Sequence, residues 1–231
     1  MIFKYKTQLM EYLLLLVSRG GYCYWTSGSV PLKKWQAFEL KMIDRYQTDR
    51  NEQQRYRARK KGLANTQLLA YPRLIEKEIV IDFWLIVDSK CPDCLVWQME
   101  RLKPIETDRV TVGEDYELVQ TPRKGKPPQW TWRMTESRYQ HWRKDIQEAI
   151  RKRKNMRLRQ LHHELVRVPG FHEIRRQAFA LQSFLRSEWM RSRGRQEEMP
   201  QRAFVGFVGR KKALALLSFD DINRIAKRLN R

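Results

Sequence analysis

The sequence predicts an α+β protein: a mixed or antiparallel sheet with packed helices in the first half, then a basic antiparallel helical pair, then a small C-terminal strand-helix unit. Three observations carry this. Ile79 to Val87 is nearly all apolar, as in a central strand covered on both faces. Trp130, Trp132 and Met134 alternate with Thr131 and Arg133, the two-residue period of a half-buried strand. Between Glu136 and Arg193 the apolar residues instead recur at helical spacing. The corresponding division is 1–134 as an α+β domain, 135–193 as the helical pair, and 194–231 as linker, strand and C-terminal helix, free to pack back on the first domain.

Residues 5–18 place Leu9, Tyr12, Leu13 and Leu16 on one helical side, and Gly20-Gly21 stops the pattern. Tyr22–Thr26 is aromatic and β-prone, with Ser27-Gly28-Ser29 read as a turn. Pro31 suits the start of a helix along which Trp35, Phe38, Met42, Ile43 and Tyr46 recur. Arg50–Gly62 continues as a polar helix. Leu68–Tyr71, closed by Pro72, reads as a short strand ahead of the apolar one. Leu95–Leu102 suggests a short helix. Tyr116–Thr121 and Gln129–Met134 read as strands joined by an exposed basic loop, 122–128.

Thr135-Glu136 supplies an N-cap and a first-turn acid for the next helix. Its apolar stripe, Trp142, Ile146 and Ile150, loses phase at Lys154-Asn155 and resumes at Leu158, Leu161, Leu165 and Val168. Either the helix breaks there or it projects past its support. Pro169-Gly170 ends it, and Phe171, Ile174, Ala178, Leu181 and Leu185 mark a second helix to about Arg193. A polar linker, 194–201, leads to a strand-like run at Ala203–Val208, and Ser218-Phe-Asp-Asp221 caps the last helix.

Charge gives the functional direction. Lys and Arg number 47 against 26 Asp and Glu, a net charge of +21. Residues 135–231 hold 24 basic and 10 acidic residues, against 23 and 16 in residues 1–134. The stretch 143–195 holds 15 basic and five acidic residues. A polyanion relieves such self-repulsion by pairing with the cations and releasing condensed counterions. The candidate phosphate contacts are Arg143, Lys144, Arg151, Lys152, Arg153, Lys154, Arg157, Arg159, Arg175 and Arg176 on the helices. Arg55, Arg59 and Lys60 add a second basic segment, and Arg123, Lys124 and Lys126 a third. Residues 76–117 run the other way, with 11 acids and five bases, which offers a protein-partner surface that could include an exposed Trp97.

Catalytic and metal motifs are sparse. Asp88-Ser89-Lys90 has the D-x-K form of a Mg²⁺-dependent nuclease, but Asp82 lies about 20 Å away along an extended strand and no third acid completes a site. Cys91-Pro-Asp-Cys94 is half a zinc site without its second half, so a tight turn with two incidental thiols is the better reading. Gly206-Phe-Val-Gly209 with Arg210-Lys-Lys212 lacks the spacing of a phosphate-binding loop. The Trp residues on strands suit core packing better than base stacking. Leu13–Val17 is too short for a membrane span or a signal core, and three cysteines form no disulfide framework, so a cytoplasmic setting is expected.

The expected function is therefore a non-enzymatic nucleic-acid-binding accessory or regulatory factor without cofactor, of the kind a mobile genetic element uses, nucleoid-associated and without membrane contact. DNA is favoured over RNA, because helices enter the DNA major groove and not the deep groove of A-form RNA. An RNA-binding ribonucleoprotein component and a metal-dependent nuclease are the alternatives.

Overall fold

A computed structural model describes residues 1–76, 78–194, 201–209 and 213–229. The chain is a mixed α+β structure that divides into two compact units. Unit 1 is Met1–Val110 with the described part of Lys211–Arg231, and unit 2 is Thr111–Arg210.

Unit 1 is built on a six-stranded mixed sheet of order β5-β2-β4-β3-β1-β9. Its strands are β1 (Ile2–Phe3), β2 (Tyr24–Pro31), β3 (Thr66–Ile75), β4 (Glu78–Val87), β5 (Lys103–Pro104) and β9 (Leu216–Leu217). The apolar strand β4 is central, antiparallel to both β2 and β3, as its composition requires. β1 pairs parallel to β3 and antiparallel to β9. One sheet face, with Leu68, Ala70, Ile81 and Leu85, shares a core with Trp35 and Met42 of α2 (Leu32–Tyr46), Val96 of α4 (Leu95–Met99) and Ile222 of α8 (Phe219–Leu229). Helix α1 (Lys6–Ser18) buries Leu9, Leu13 and Leu16, and its Tyr12 hydroxyl donates to Gln67 of β3. Ser218 and Asp221 cap α8 reciprocally, side chain to backbone in both directions.

Three local expectations need correction. Ser27-Gly28-Ser29 does not turn the chain, since β2 runs through it, and Gly28 faces Phe83 across the ladder. A Cβ at Gly28 would stand 2.8 Å from the Phe83 ring, so glycine serves here to admit an aromatic neighbour. Pro72 does not close β3. Ala70 N–H donates to Met1 O, so two residues later the proline nitrogen faces the same side beyond the short β1, where no donor is needed. The polar helix of 50–62 is a separate element, α3 (Glu52–Lys60), started by an Asn51–Gln54 capping box.

Unit 2 carries its own three-stranded antiparallel sheet, β6 (Thr111–Val112), β7 (Tyr116–Arg123) and β8 (Lys126–Met134). Three helices follow: α5 (Glu136–Arg151), α6 (Asn155–Val166) and α7 (His172–Arg193). The sequence boundary at 134 thus falls inside a compact unit, and β7 and β8 group with the helices. The β7–β8 connection is tighter than expected. Arg123 pairs with Lys126 across a two-residue Lys124-Gly125 turn, after a register shift near Thr121.

The helical part also differs from a simple antiparallel pair. Met134 exchanges two backbone bonds with the Gln177 amide, Arg143 lies 4.5 Å from the Phe184 ring centroid, and Ile150 O meets Arg193. These meetings advance in one direction, so α5 runs parallel to α7. The antiparallel partner of α7 is α6, whose first residue, Asn155, meets Arg193 at the far end of α7. Ile146, Ile150, Leu161, Leu165, Ile174, Ala178 and Leu181 form the buried stripes.

Candidate nucleic-acid interface

The helix breaks where the apolar stripe loses phase. Lys152–Lys154 separate α5 from α6, and Arg153 takes φ +53°. The break is anchored rather than projecting. The Arg193 guanidinium, 9% exposed, donates to Ile150 O at 2.9–3.0 Å, to Ala149 O at 3.3 Å and to Asn155 Oδ1 at 2.6 Å. A cation therefore occupies the carbonyl end of α5, where the helix dipole and unsatisfied acceptors favour it.

Most of the densest basic run is held by carboxylates. Arg151 meets Glu188, itself only 1% exposed and also paired with Arg191. Lys152 and Lys154 both reach Glu148, at 3.1 and 3.0 Å, and these bonds hold the Glu148 carboxyl below its ordinary value. Arg157 meets Asp145 and Glu164. Arg176 meets Glu173. All five acids of 143–195 are engaged in this way. Of the two readings, a break and a helix projecting past its support, the break is the one found, and Arg151, Lys154 and Arg157 pair across the α5–α6–α7 joint.

The remaining cations are distributed differently. Among the described residues, Arg143, Lys144, Arg159, Arg167, Arg175 and Arg186 have no carboxylate partner. Arg143 stacks on Phe184 while remaining exposed. Arg123, Lys124 and Lys126 are exposed at the β-hairpin tip, as its sequence predicts.

The run 203–208 is not a strand. It lies extended along α7, bonded at Ala203 and Val205 to side chains of that helix and at Val208 to the Gly170 carbonyl. The buried Gln182 amide brackets Ala203 with two bonds of 2.9 Å, and Arg175 Nε donates to Val205 O at 2.9 Å. Val208 N–H donates to Gly170 O, and a Cβ at Gly170 would stand 2.1 Å from Gly206 O, so only glycine fits that crossing. Residues Arg175, Phe179, Gln182 and Arg186 recur at helical spacing along one stripe of α7, and three of them touch this segment. Sequence reasoning singled out Arg175 but missed Arg186, Arg202, Phe204 and Phe207. The i, i+4, i+7, i+11 stripe was the available signal. The linker 195–200 and the Arg210-Lys-Lys212 turn lie outside the described residues.

In unit 1 the other candidates serve local structure. Asp88 is buried with both carboxylate oxygens committed: Oδ1 accepts from Asn65 N at 2.7 Å and Ser89 Oγ at 3.1 Å, Oδ2 from Asn65 Nδ2 and Arg59 Nε at 2.9 Å each. This ties α3 to the start of β3 and the end of β4, with Arg59 as structural partner. Asp82 is likewise held by Ser29 and Arg73. Among the described residues no group of three His, Cys, Asp or Glu is placed to hold a metal. Arg55 donates to Arg50 O, and Lys60 lies 4.9 Å from the Tyr56 ring. Cys91 and Cys94, read as incidental thiols, are joined by a disulfide, their Cα atoms 5.3 Å apart across the Pro-Asp turn. Trp97 is half-buried, donating to Ser89 O and edge-on to Tyr24. Trp25, Trp84 and Trp132 are core residues. Among the described residues no helix is long and apolar enough to cross a membrane.

Comparison with protein-family models, curated proteins and solved structures finds no match to this chain.

Proposed function

We propose that this protein binds DNA through unit 2, as a non-enzymatic accessory factor acting in the cytoplasm at the nucleoid. One observation carries the reading: the acids of 143–195 are spent on bracing the helix joint, which leaves Arg143, Lys144, Arg159, Arg167, Arg175 and Arg186 as uncompensated surface charge among the described residues. Unpaired cations on one scaffold repel each other, and a phosphate backbone relieves that repulsion with entropic gain from released counterions. Arginine dominates the set, which suits bidentate phosphate contact. The slender β7–β8 tip with three cations and the exposed turn of α5 at Arg143-Lys144 both have the dimensions that duplex grooves accept. The Asp88 carboxylate, committed at both oxygens to Asn65, Ser89 and Arg59, favours binding over strand cleavage.

The test is competition binding with matched duplex DNA, single-stranded DNA and structured RNA across a salt series. Duplex DNA should compete effectively, with affinity falling on a log–log salt plot at a slope of roughly −4 to −6 for five or six phosphate contacts. Clear RNA preference at physiological salt would move the reading to a ribonucleoprotein component. Binding that ignores salt, or none at low salt, would leave a scaffold for an acidic protein instead.

A further inference from the structure

We infer that unit 2 also holds a site for unpaired nucleotides, formed by the segment 201–209 and the cavity beside it, so that the preferred DNA carries a single-stranded part. This rests on the DNA-binding reading and specifies its substrate.

The segment is clamped on α7 with Val205 turned inward and two aromatic rings turned out. Phe204 and Phe207 are 68% and 71% exposed, with ring centroids 6.1 Å apart. The Arg175 guanidinium lies 3.4 Å from the Phe207 centroid and 5.3 Å from that of Phe204. Arg202 lies over Phe179 at 5.2 Å and also lines an adjoining cavity of about 350 Å³ with His162, Ser187 and Arg186. No carboxylate lines that cavity among the described residues. His162 Nε2 is buried without a hydrogen-bond partner, and neither Arg186 nor Arg202 is paired with an acid among the described residues. Arg202 thus joins two features: a pair of exposed rings, one of them covered on one face by the Arg175 guanidinium, and a recess lined by two guanidiniums and an unpartnered imidazole nitrogen with no carboxylate among the described residues.

Each part selects the same ligand chemistry. Aromatic faces held open to solvent stack with bases, and a duplex exposes only base edges in its grooves, so stacking requires unpaired bases. Guanidinium forks, a serine hydroxyl and an imidazole N–H are donors suited to phosphate oxygens. The volume lies near the lower end of the roughly 300–1,000 Å³ typical of small-ligand sites, enough for a nucleotide unit. An acidic protein segment could satisfy the guanidiniums but would leave two rings without stacking partners. The arrangement seats a strand with one phosphate at Arg186 and Arg202 and adjacent bases on Phe204 and Phe207.

The experiment compares binding of a blunt duplex with binding of the same duplex extended by a short single-stranded overhang of either polarity, and with an equally long blunt duplex. The full chain should bind one overhang probe at least roughly fivefold tighter than the blunt duplex of equal length, the gain of one stacked base. The variant Phe204→Leu/Phe207→Leu, which keeps apolar bulk at exposed positions, should lose that preference and retain affinity for blunt duplex. A 2-aminopurine in the overhang should be quenched by the wild type and not by the variant. Equal affinity for both probe types, with blunt-duplex binding intact, overturns this inference and leaves the DNA-binding reading standing. An overhang preference that survives in the variant also overturns it, by placing the site elsewhere. Failure to bind any of the probes removes the DNA-binding reading as well.

Discussion

The run Arg151–Arg157 and the stripe Arg175–Arg186 lie in the same unit and carry the same sign of charge, yet they do different work. The run is dense in sequence, and its cations meet Glu148, Asp145, Glu164 and the buried Glu188. The stripe is sparse in sequence: Arg175 meets rings and the Val205 carbonyl, and among the described residues neither Arg175 nor Arg186 meets an acid. Sequence density of charge therefore measures what must be neutralised locally, whereas the residue left over after pairing is what a polyanion can use. In this molecule the two quantities peak at different places.

The largest expected effect tests the structural side. Arg193→Ala removes the guanidinium that satisfies the α5 carbonyl end and Asn155. It should cost roughly 3 kcal/mol, because buried carbonyl acceptors lose charge-assisted partners. Arg186→Ala, on the exposed end of the other surface, should stay within about 0.5 kcal/mol of wild type. Urea denaturation at constant m reads both. Similar small losses for the two would mean that the joint is not held by Arg193.

A smaller effect separates stability from affinity. Arg151→Ala leaves Glu188 buried with Arg191 alone and should cost about 2 kcal/mol, with little change in the salt dependence of DNA binding. Arg202→Ala should do the reverse, leaving the thermal midpoint unchanged while reducing the salt slope by about 1. If the Arg151 variant showed the larger slope change, the braced run would be the binding surface after all.

Much of the architecture was legible because burial and period agree. β4 is central and apolar, α7 buries Ile174, Ala178, Leu181 and Leu185 at helical spacing, and Ser218-Asp221 caps α8. The break at 155 was visible as a phase loss. Its anchor was not, since Arg193 lies far along the chain and nothing in local composition says that an arginine will serve a helix terminus. Pairing partners were hidden for the same reason: Glu188 is 37 residues from Arg151. Strand boundaries at Gly28 and Pro72 were misread because local propensity was applied without knowing the open side of β3 or the ring opposite β2. The exposed Phe204 and Phe207 looked like strand because an extended run can also be held by glutamine and arginine side chains.

The smallest effect concerns acid. Hydrogen bonds from Lys154 and then Lys152 hold the Glu148 carboxyl below its ordinary value of 4.5. A carboxylate depressed in the folded state contributes stability that is complete above its unfolded value and is lost as pH falls through the folded one. Glu148→Gln should therefore lower the thermal midpoint slightly near neutral pH, and the difference from wild type should close as pH falls through and below the ordinary glutamate range. The group is on the surface, so solvent and salt screening keep the effect small, and added salt should shrink it further. Arg175 and Arg186 pair with no acid among the described residues, and Arg186→Ala should show no such convergence. A Glu148 difference that persists undiminished at low pH would mean that the side chain supports the joint by packing, not by binding the two lysines, and the contrast between spent and free charge would lose its electrostatic basis there.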